Sequence, residues 1–596
     1  MLYFSNNFLN KNLSGVIKAV YAFAVTWCLP EIFGWAEGIA FSYSVFSVIL
    51  FGVIWWSLSR FWDELSDSTF GNKVLYCLLS FAFLTSMVLG NALDTKGYIE
   101  LSNIRGVLTP IVVMPYAAML LCRLYSALEE WLEMIRYQGN SSCEYLDIRE
   151  AAVYFVFLVI CWGIVLLAVY PGFFVYDAQD ELMQIITRQF NTHHPLLHAL
   201  YMGGIVQAGY KLFGSYNAGI FLFTVVQMLI AMSAVIYVAA KMHRFGFSTL
   251  FVRGVIAFFG LFPVFPMFIL CSSKDSIFAI VVLLWLVETY EWIRFDDHKF
   301  NVKWLCLSVI MCLLRKNAIY ALLLTGVFFV AFAVKKRMKA ALLFMAAAIL
   351  TFFCTSALEF ATGASSSEHQ EMLTVPIQQI ARVYNLEPQV FTQEEREQIN
   401  RYLPDEYLRR YVPKLSDGVK IGFDNQAYEE DMGGFWEIWI KGLKSSPVSY
   451  LNAWLLTCYG YMYPDTVIDV YRGSTVFTFT YEDNAYFGYE TEQPGERQSL
   501  IPAIDNFYRK LSLSIYKEKL PVVSMLFSPG MVLWLYVFGV GFLLKRNIMQ
   551  GALVYVFPLA VVATLLLGPT FLPRYVFYLW LCIPVLIGDI VYGTDI

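Results

Sequence analysis

Charge is what this sequence has least of. Asp, Glu, Lys and Arg make up 15% of its 596 residues, where a soluble domain usually carries about 25%. With 58% hydrophobic residues as well, there is too little polar surface to cover a water-soluble fold. The formal net charge is −5, so no basic excess exists to hold a nucleic acid, and none is expected as a partner. The eleven cysteines stand singly, several inside apolar runs (Cys28, Cys161, Cys306, Cys312, Cys354), and no CxxC pair occurs. That spacing gives no ground for a disulfide framework or a zinc site. An internal repeat is also missing, which weighs against transporters built from duplicated halves. The first apolar run has no small-residue cleavage site behind it and reads as a retained span, not a removed signal.

What the sequence has in quantity is apolar runs of about 20 residues, the length of a membrane crossing. Spans are expected to begin near Val16, Phe41, Leu75, Gly106, Ala151, Ala218, Thr249, Ser276, Lys303, Asn317, Ala340, Met525, Gly551 and Arg574. The chain is therefore an α-helical polytopic membrane protein of about 13–14 spans. Within it, WLCLSVIMCLL is short for a crossing and Arg315-Lys316-Asn317 divides it from the next run. Basic charge decides the parity, because short cytoplasmic loops collect Lys and Arg. The clusters at Lys241–Arg244, Arg294–Lys299, Lys335–Lys339 and Lys545-Arg546 fall on one side only if Lys303–Val334 crosses twice.

Both termini are then cytoplasmic, and two regions, 171–217 and 357–523, are external. The same parity demotes HHPLLHALYMGGIVQAGYKLFG to helices lying at the interface. It also makes SPVSYLNAWLLTCYGYMYP a segment docked on the membrane surface. The expected organisation is a four-span accessory unit (1–127), a cytoplasmic linker (128–150) and a transmembrane core (151–356) with the external loop 171–217. A mainly helical extracytoplasmic domain (357–523) and three final spans (524–596) follow.

Ionisable groups at a membrane boundary are costly and default to functional candidates. Tyr170-Pro171-Gly172 ends a span and is followed by Asp177, Asp180 and Glu181. One of these carboxylates could serve as a general base, or all three could be ordinary solvated loop charges. Three of only six histidines fall at His193, His194 and His198. With Asp177 or Glu181 they could ligate a divalent metal; the preferred reading has no metal or other cofactor and leaves His193 and His194 to hydrogen-bond or grip a phosphate. Lys274, Arg315, Lys316 and Arg574 (with its neighbour Tyr575) stand at outer span ends, against the positive-inside tendency. Any one of them could be snorkelling to headgroups; together they point to a shared anionic ligand. Lys274 and Asp275 could also be an internal ion pair.

This layout resembles the GT-C glycosyltransferases, among them the protein O-mannosyltransferases and the aminoarabinose transferase acting on lipid A. More closely, YPGFFVYD, HHPLL, SSKDS, LLRKNAIY, VPIQQIARVYN, SDGVK and PRYVFY look like the motifs of a family of bacterial membrane proteins of the GT-C-like superfamily. The resemblance covers about residues 150–596. It implies a GT-C-like bundle in a bacterial plasma membrane. It implies transfer of a hexose or pentose from a polyprenyl-phosphate donor to a cell-envelope acceptor, normally with inversion. Asp177 would then take the acceptor proton, and Lys274, Arg315, Lys316 and Arg574 would hold the lipid phosphate. The mannosyltransferases carry adjacent acids in a different local setting; Asp177 is preferred because it falls where the closer family's PG-to-Asp motif puts it. The competing readings are a transporter or flippase of lipid-linked glycan, and a non-catalytic scaffold whose aromatic insert binds glycan.

Overall fold

A backbone in lipid has to satisfy its own N–H and C=O groups, which leaves helices as the simplest solution. The computed structural model describes residues 2–35, 41, 44–138, 146–175, 177–294, 302–333, 337–365, 369–466, 492–512, 523 and 525–593. Residues 139–145 of the linker, 295–301, Lys335, Lys336 and 467–491 of the insert lie outside the described residues, and so does Tyr176 of the YPGFFVYD motif. Among the described residues there is no strand, only isolated bridges, and the cysteines are free.

The chain opens with α1 (Leu2–Phe33), α2 (Val45–Asp67), α3 (Phe70–Lys96) and α4 (Ile104–Gln138). The body continues with α5 (Ile148–Ala168), α6 (Ala178–Thr187), α7 (Leu196–Phe213), α8 (Tyr216–Arg244), α9 (Thr249–Leu261) and α10 (Lys274–Arg294). Then come α11 (Val302–Leu314), α12 (Ala318–Phe332) and α13 (Arg337–Thr362). Boundaries follow local chemistry. Ser44 and Thr69 accept from the third backbone N–H of α2 and α3, and Gly97 ends α3 in the left-handed conformation, as caps of these types do.

Among the described residues, nine helices are long and apolar enough to cross a membrane, and five shorter apolar ones accompany them. Each of the fourteen expected runs coincides with one of these, so the chain is an α-helical multi-pass membrane protein. Their roles differ. The apolar window of α10 is 83% buried inside the protein and that of α2 only 17%, so α10 is the central post and α2 faces lipid.

Contacts between helix ends fix the direction of each crossing. At one end of the bundle Lys241 and Arg244 (end of α8) pair with Glu291 and Glu288 (end of α10), and Lys303 (start of α11) also reaches Glu288. At the other end Arg315, just past α11, meets Asp275 at the start of α10. The stretch from Val302 to Phe332 thus goes over and returns: α11 and α12 form a hairpin, as the basic-charge parity requires. By the same logic α6 and α7 do not cross. Gln498 bonds Tyr170 just past α5 and Glu496 bonds Asn217 at the start of α8, so α5 arrives and α8 departs at one end. There α6, α7 and α8 share a small apolar core around Leu182, Met202 and Phe223.

The insert carries α14 (Thr374–Leu386), α15 (Gln393–Tyr402), α16 (Met432–Ser445), α17 (Pro447–Cys458) and α18 (Pro502–Ser512). It has its own apolar core, including Ile377, Leu403, Phe435 and Tyr450, separate from that of the bundle. SPVSYLNAWLLTCYGYMYP joins the two. Tyr450 belongs to the insert core, while Trp454 donates to the Leu566 carbonyl and Tyr461 to that of Thr570.

After it come α19 (Pro529–Lys545), α20 (Met549–Val554), α21 (Val556–Leu565) and α22 (Phe577–Tyr592). The first four helices are bound to the rest at both ends. Asp94 accepts from Tyr459 and pairs with Lys414 of the insert, and Lys545 of α19 pairs with Glu129.

Candidate functional site

The site is assembled by laying stretches far apart in sequence side by side. After α5 the chain turns at Gly172, where φ is +125° and a Cβ would come within 2.4 Å of the Thr224 hydroxyl. A side chain fits neither that backbone nor that space. Phe173 then pairs with the segment before α10: its N–H donates to the Leu270 carbonyl (3.0 Å), and Ser272 N–H donates back to it (2.9 Å). The Ser272 hydroxyl closes the pairing by accepting from Val175 N–H and donating to its carbonyl. Gln227 of α8 holds the second strip from behind, its amide donating to the Ile269 and Cys271 carbonyls at 2.6 and 2.7 Å. PGFFV and CSSK are thereby locked together, and with them Asp177 and Lys274.

Asp177 occupies the N-cap of α6 with φ of 69°, in the left-handed region, yet its side chain makes no cap hydrogen bond. Aspartate tolerates that backbone better than most residues. Its capping role is taken by Glu492, from the end of the insert. The Glu492 carboxylate accepts from Asp177 N–H (3.2 Å) and Gln179 N–H (2.7 Å), while its own N–H donates to the Phe174 carbonyl at 2.7 Å. An anion at a helix N-terminus is favourable, and here it comes from 315 residues away. Burial nevertheless pushes the Glu492 carboxyl up to about 7, against the Gln179 hydrogen bond and with help from Asp177. The Asp177 carboxylate is left to point elsewhere.

It faces His194, whose Nδ1 lies 3.9 Å from Asp177 Oδ2. Lys274 Nζ donates to that same Nδ1 at 3.3 Å, so the ring proton sits on Nε2. Burial and Lys274 hold the His194 ring down at about 2. A neutral imidazole makes no ion pair with Asp177. Burial alone would raise the Asp177 carboxyl, but Lys274, then His194, Arg574 and His193, draw it below the ordinary aspartate range. With His194 neutral, Lys274 and Arg574 are the cations that keep it ionised. The Asp177 side chain is nevertheless 40% exposed while that of His194 is 4% exposed. A carboxylate crowded by protein yet open to water lines a recess. Asp180 is exposed on the rim, its carboxyl raised by partial burial and by Asp177.

Beneath this lies a drier tier. Asp275 is 2% exposed and pairs with Arg315 at 3.0 Å, with Arg574 Nε 3.9 Å from its other oxygen. The Ser273 hydroxyl donates to it at 3.1 Å. Arg315 also donates to the Tyr575 carbonyl (2.9 Å) and Arg574 to the Tyr575 hydroxyl (3.1 Å). Both guanidinium groups lie over the Tyr575 ring. A Lys274–Asp275 ion pair does not form: neighbouring residues on a helix point about 100° apart, and the two side chains go to different tiers.

Of the expected residues, the fold brings together Asp177, His194, Lys274, Asp275, Arg315, Arg574 and Tyr575. Lys316 lies on the far side of the histidine loop, donating to the Thr192 carbonyl, with burial lowering its ammonium. His193 turns to Glu371 of the insert, 3.9 Å away. Glu181 does not join the recess: it is 2% exposed and bonds His198 Nδ1 at 2.5 Å inside the packing of α6 on α7. The three histidine–carboxylate contacts therefore diverge, and among the described residues no three His, Cys, Asp or Glu side chains are grouped to hold a metal ion.

Fold and site together define a multi-pass helical membrane protein with an anionic group and a set of cations recessed at one end of its bundle. The chain belongs to a family of unknown function (DUF6020), whose model matches residues 182–590. That stretch includes the histidine loop, Lys274, Arg315, Arg574 and Glu492 and begins five residues past Asp177. No curated protein matches the chain, and no solved structure does.

Proposed function

We propose that this protein is a membrane glycosyltransferase of GT-C type, moving a sugar from a polyprenyl-phosphate donor to a cell-envelope acceptor. The observation that carries the reading is the Asp177 carboxylate, held ionised and open to water beside Lys274 and Arg574. An acceptor hydroxyl placed on Asp177 gives up its proton there while its oxygen bonds the anomeric carbon. The bond from that carbon to the phosphate oxygen breaks, and its electron pair leaves with the phosphate onto Lys274 and Arg574. Fixed cations aimed at the developing charge are the larger contribution to such a step.

A donor phosphate would also occupy the cations that depress Asp177. Their hold on the carboxylate weakens, and its affinity for the acceptor proton rises when the donor is in place. Arg315, neutralised by Asp275, orients Tyr575 and Arg574. On this reading the end rich in Lys and Arg faces the cytoplasm of a bacterial cell, placing recess and insert outside the plasma membrane. Apolar helices and their basic ends support that orientation.

The test is purified full-length protein with labelled polyprenyl-phosphate sugars. Asp177→Asn keeps the backbone geometry and should lower transfer by about 10²–10⁴-fold, the range for a lost general base, while Asp180→Asn and Glu181→Gln retain it. Transfer by Asp177→Asn at the wild-type rate removes the assignment. Donor binding without turnover in the wild type supports the scaffold reading instead.

A further inference from the structure

A second polar cavity lies at the opposite end of the bundle from Asp177, with a volume of about 260 Å³. It is bounded by the ends of α10, α12 and α22 and by the turn between α19 and α20. Arg294 and Asp589 face it together with the amides Asn547 and Gln550, and apolar side chains including Phe332 and Ile548 complete the wall. Asp589 is 1% exposed; Tyr290 and Tyr555 hydrogen-bond its carboxyl and Arg294 attracts it, while its Oδ2 has no hydrogen-bond partner among the described residues. A buried carboxylate oxygen without a donor is costly, and in a membrane helix it marks a functional position.

That oxygen is itself buried, and the backbone of Gly551 packs close to it. A Cβ on Gly551 would stand 2.9 Å from it, so only glycine leaves the space in front of it open. Arg294 is held in place, one guanidinium nitrogen donating to the Tyr290 hydroxyl (2.8 Å) and another to the Tyr592 carbonyl (3.0 Å). Cation and anion thus line one cavity without a direct salt bridge between them, and the ligand that complements both is a zwitterion. The volume is below the roughly 300–1,000 Å³ of a drug-sized pocket and suits a group of few heavy atoms. Its place at the ends of three apolar helices, beside Lys545-Arg546, is headgroup depth, and its apolar wall would follow the start of an acyl chain.

We propose that this cavity binds the headgroup of an aminophospholipid, with the ammonium donating to Asp589 and the phosphate on Arg294. The site is independent of the glycosyltransferase reading and stands if that reading fails. A primary ammonium has N–H groups to give Asp589; a choline headgroup has none, and a glycerol headgroup lacks the positive charge.

The experiment is native mass spectrometry of the full-length protein in detergent, titrated with phosphatidylethanolamine, phosphatidylcholine and phosphatidylglycerol of identical acyl chains. Phosphatidylethanolamine should bind at least tenfold more tightly than either of the others. Asp589→Asn should erase that preference while leaving phosphatidylglycerol binding unchanged. Gly551→Ala, which fills the space without changing charge, should do the same. Equal binding of the three lipids by the wild type overturns the proposal, whether or not the variants fold. So does wild-type selectivity in a folded Asp589→Asn protein. Binding of free O-phosphoethanolamine without binding of the lipid would overturn the lipid assignment and leave a soluble ligand.

Discussion

The two ends of the bundle use charge in different ways. At the end holding Lys241, Arg253, Lys303 and Lys545, cations meet carboxylates of neighbouring helices and several remain well exposed: Arg244 is 58%, Arg253 64% and Lys303 48% exposed. The exposed pairs lock helix ends together and contribute little each, while Lys241 with Glu288 and Glu291 forms a buried exception. At the other end Lys274, Arg315 and Arg574, from three separate segments, converge on Asp177, which is open to water, and on Asp275, which is nearly dry. Converging charges that protein packing has desolvated cost free energy to assemble, and a fold retains them where they act on something else. The same residue types therefore read as fastening at one end and as machinery at the other.

On the proposed glycosyltransferase reading, that contrast breaks most visibly at Asp177, where the asparagine variant should lose transfer by about two to four orders of magnitude with its melting temperature unmoved. Arg315→Ala comes next. It strips the buried Asp275 of the cation 3.0 Å away, and chemical denaturation in detergent should show a loss of about 3–5 kcal/mol.

Glu492→Gln should cost about 1–2 kcal/mol, by weakening one buried cap bond, and should also change how stability varies with pH. The Glu492 carboxyl is raised from about 4.5 to about 7 in the folded protein, so the native state holds its proton more firmly than the unfolded chain. Its contribution is fully present below about 4.5 and is lost as pH rises through about 7. Melting curves of the wild type should fall over that window and those of Glu492→Gln should lack that component. Arg253→Ala at the other end should leave stability almost unchanged; a loss matching that of Arg315→Ala would erase the distinction between the ends.

Much of the helical layout was legible because length and apolarity speak directly in a membrane protein. Every expected run became a helix, and the Lys303–Val334 hairpin followed from counting basic clusters. The parts that were not legible depend on direction and distance. Asp177 and Glu181 are one helical turn apart, which suggests a shared face. But Asp177 sits in a left-handed cap outside the helix, and Glu181 turns inward to His198. Asp275 adjoins Lys274 in sequence, yet its partner is Arg315 across the bundle. Glu492 offered only the turn-rich EQPGE as a signal, and nothing local in it indicates that its carboxylate caps α6 far upstream. A cap supplied from another domain has no sequence periodicity to betray it.

The hairpin of α11 and α12 has a mechanical consequence. At 1.5 Å per residue its 13- and 15-residue arms rise only about 20 and 23 Å, against a hydrocarbon thickness of roughly 30 Å. The neighbouring α13 has 26 residues, or about 39 Å of rise. The hairpin is therefore shorter than the hydrocarbon core is thick, with Arg315 and Lys316 at its turn. On the proposed reading, lipid beside the hairpin would thin to meet it, and a carrier's phosphate would descend toward the recess as its tail stays in hydrocarbon. Thicker membranes oppose that descent, so the carbon number of the surrounding acyl chains becomes a handle on the protein's behaviour.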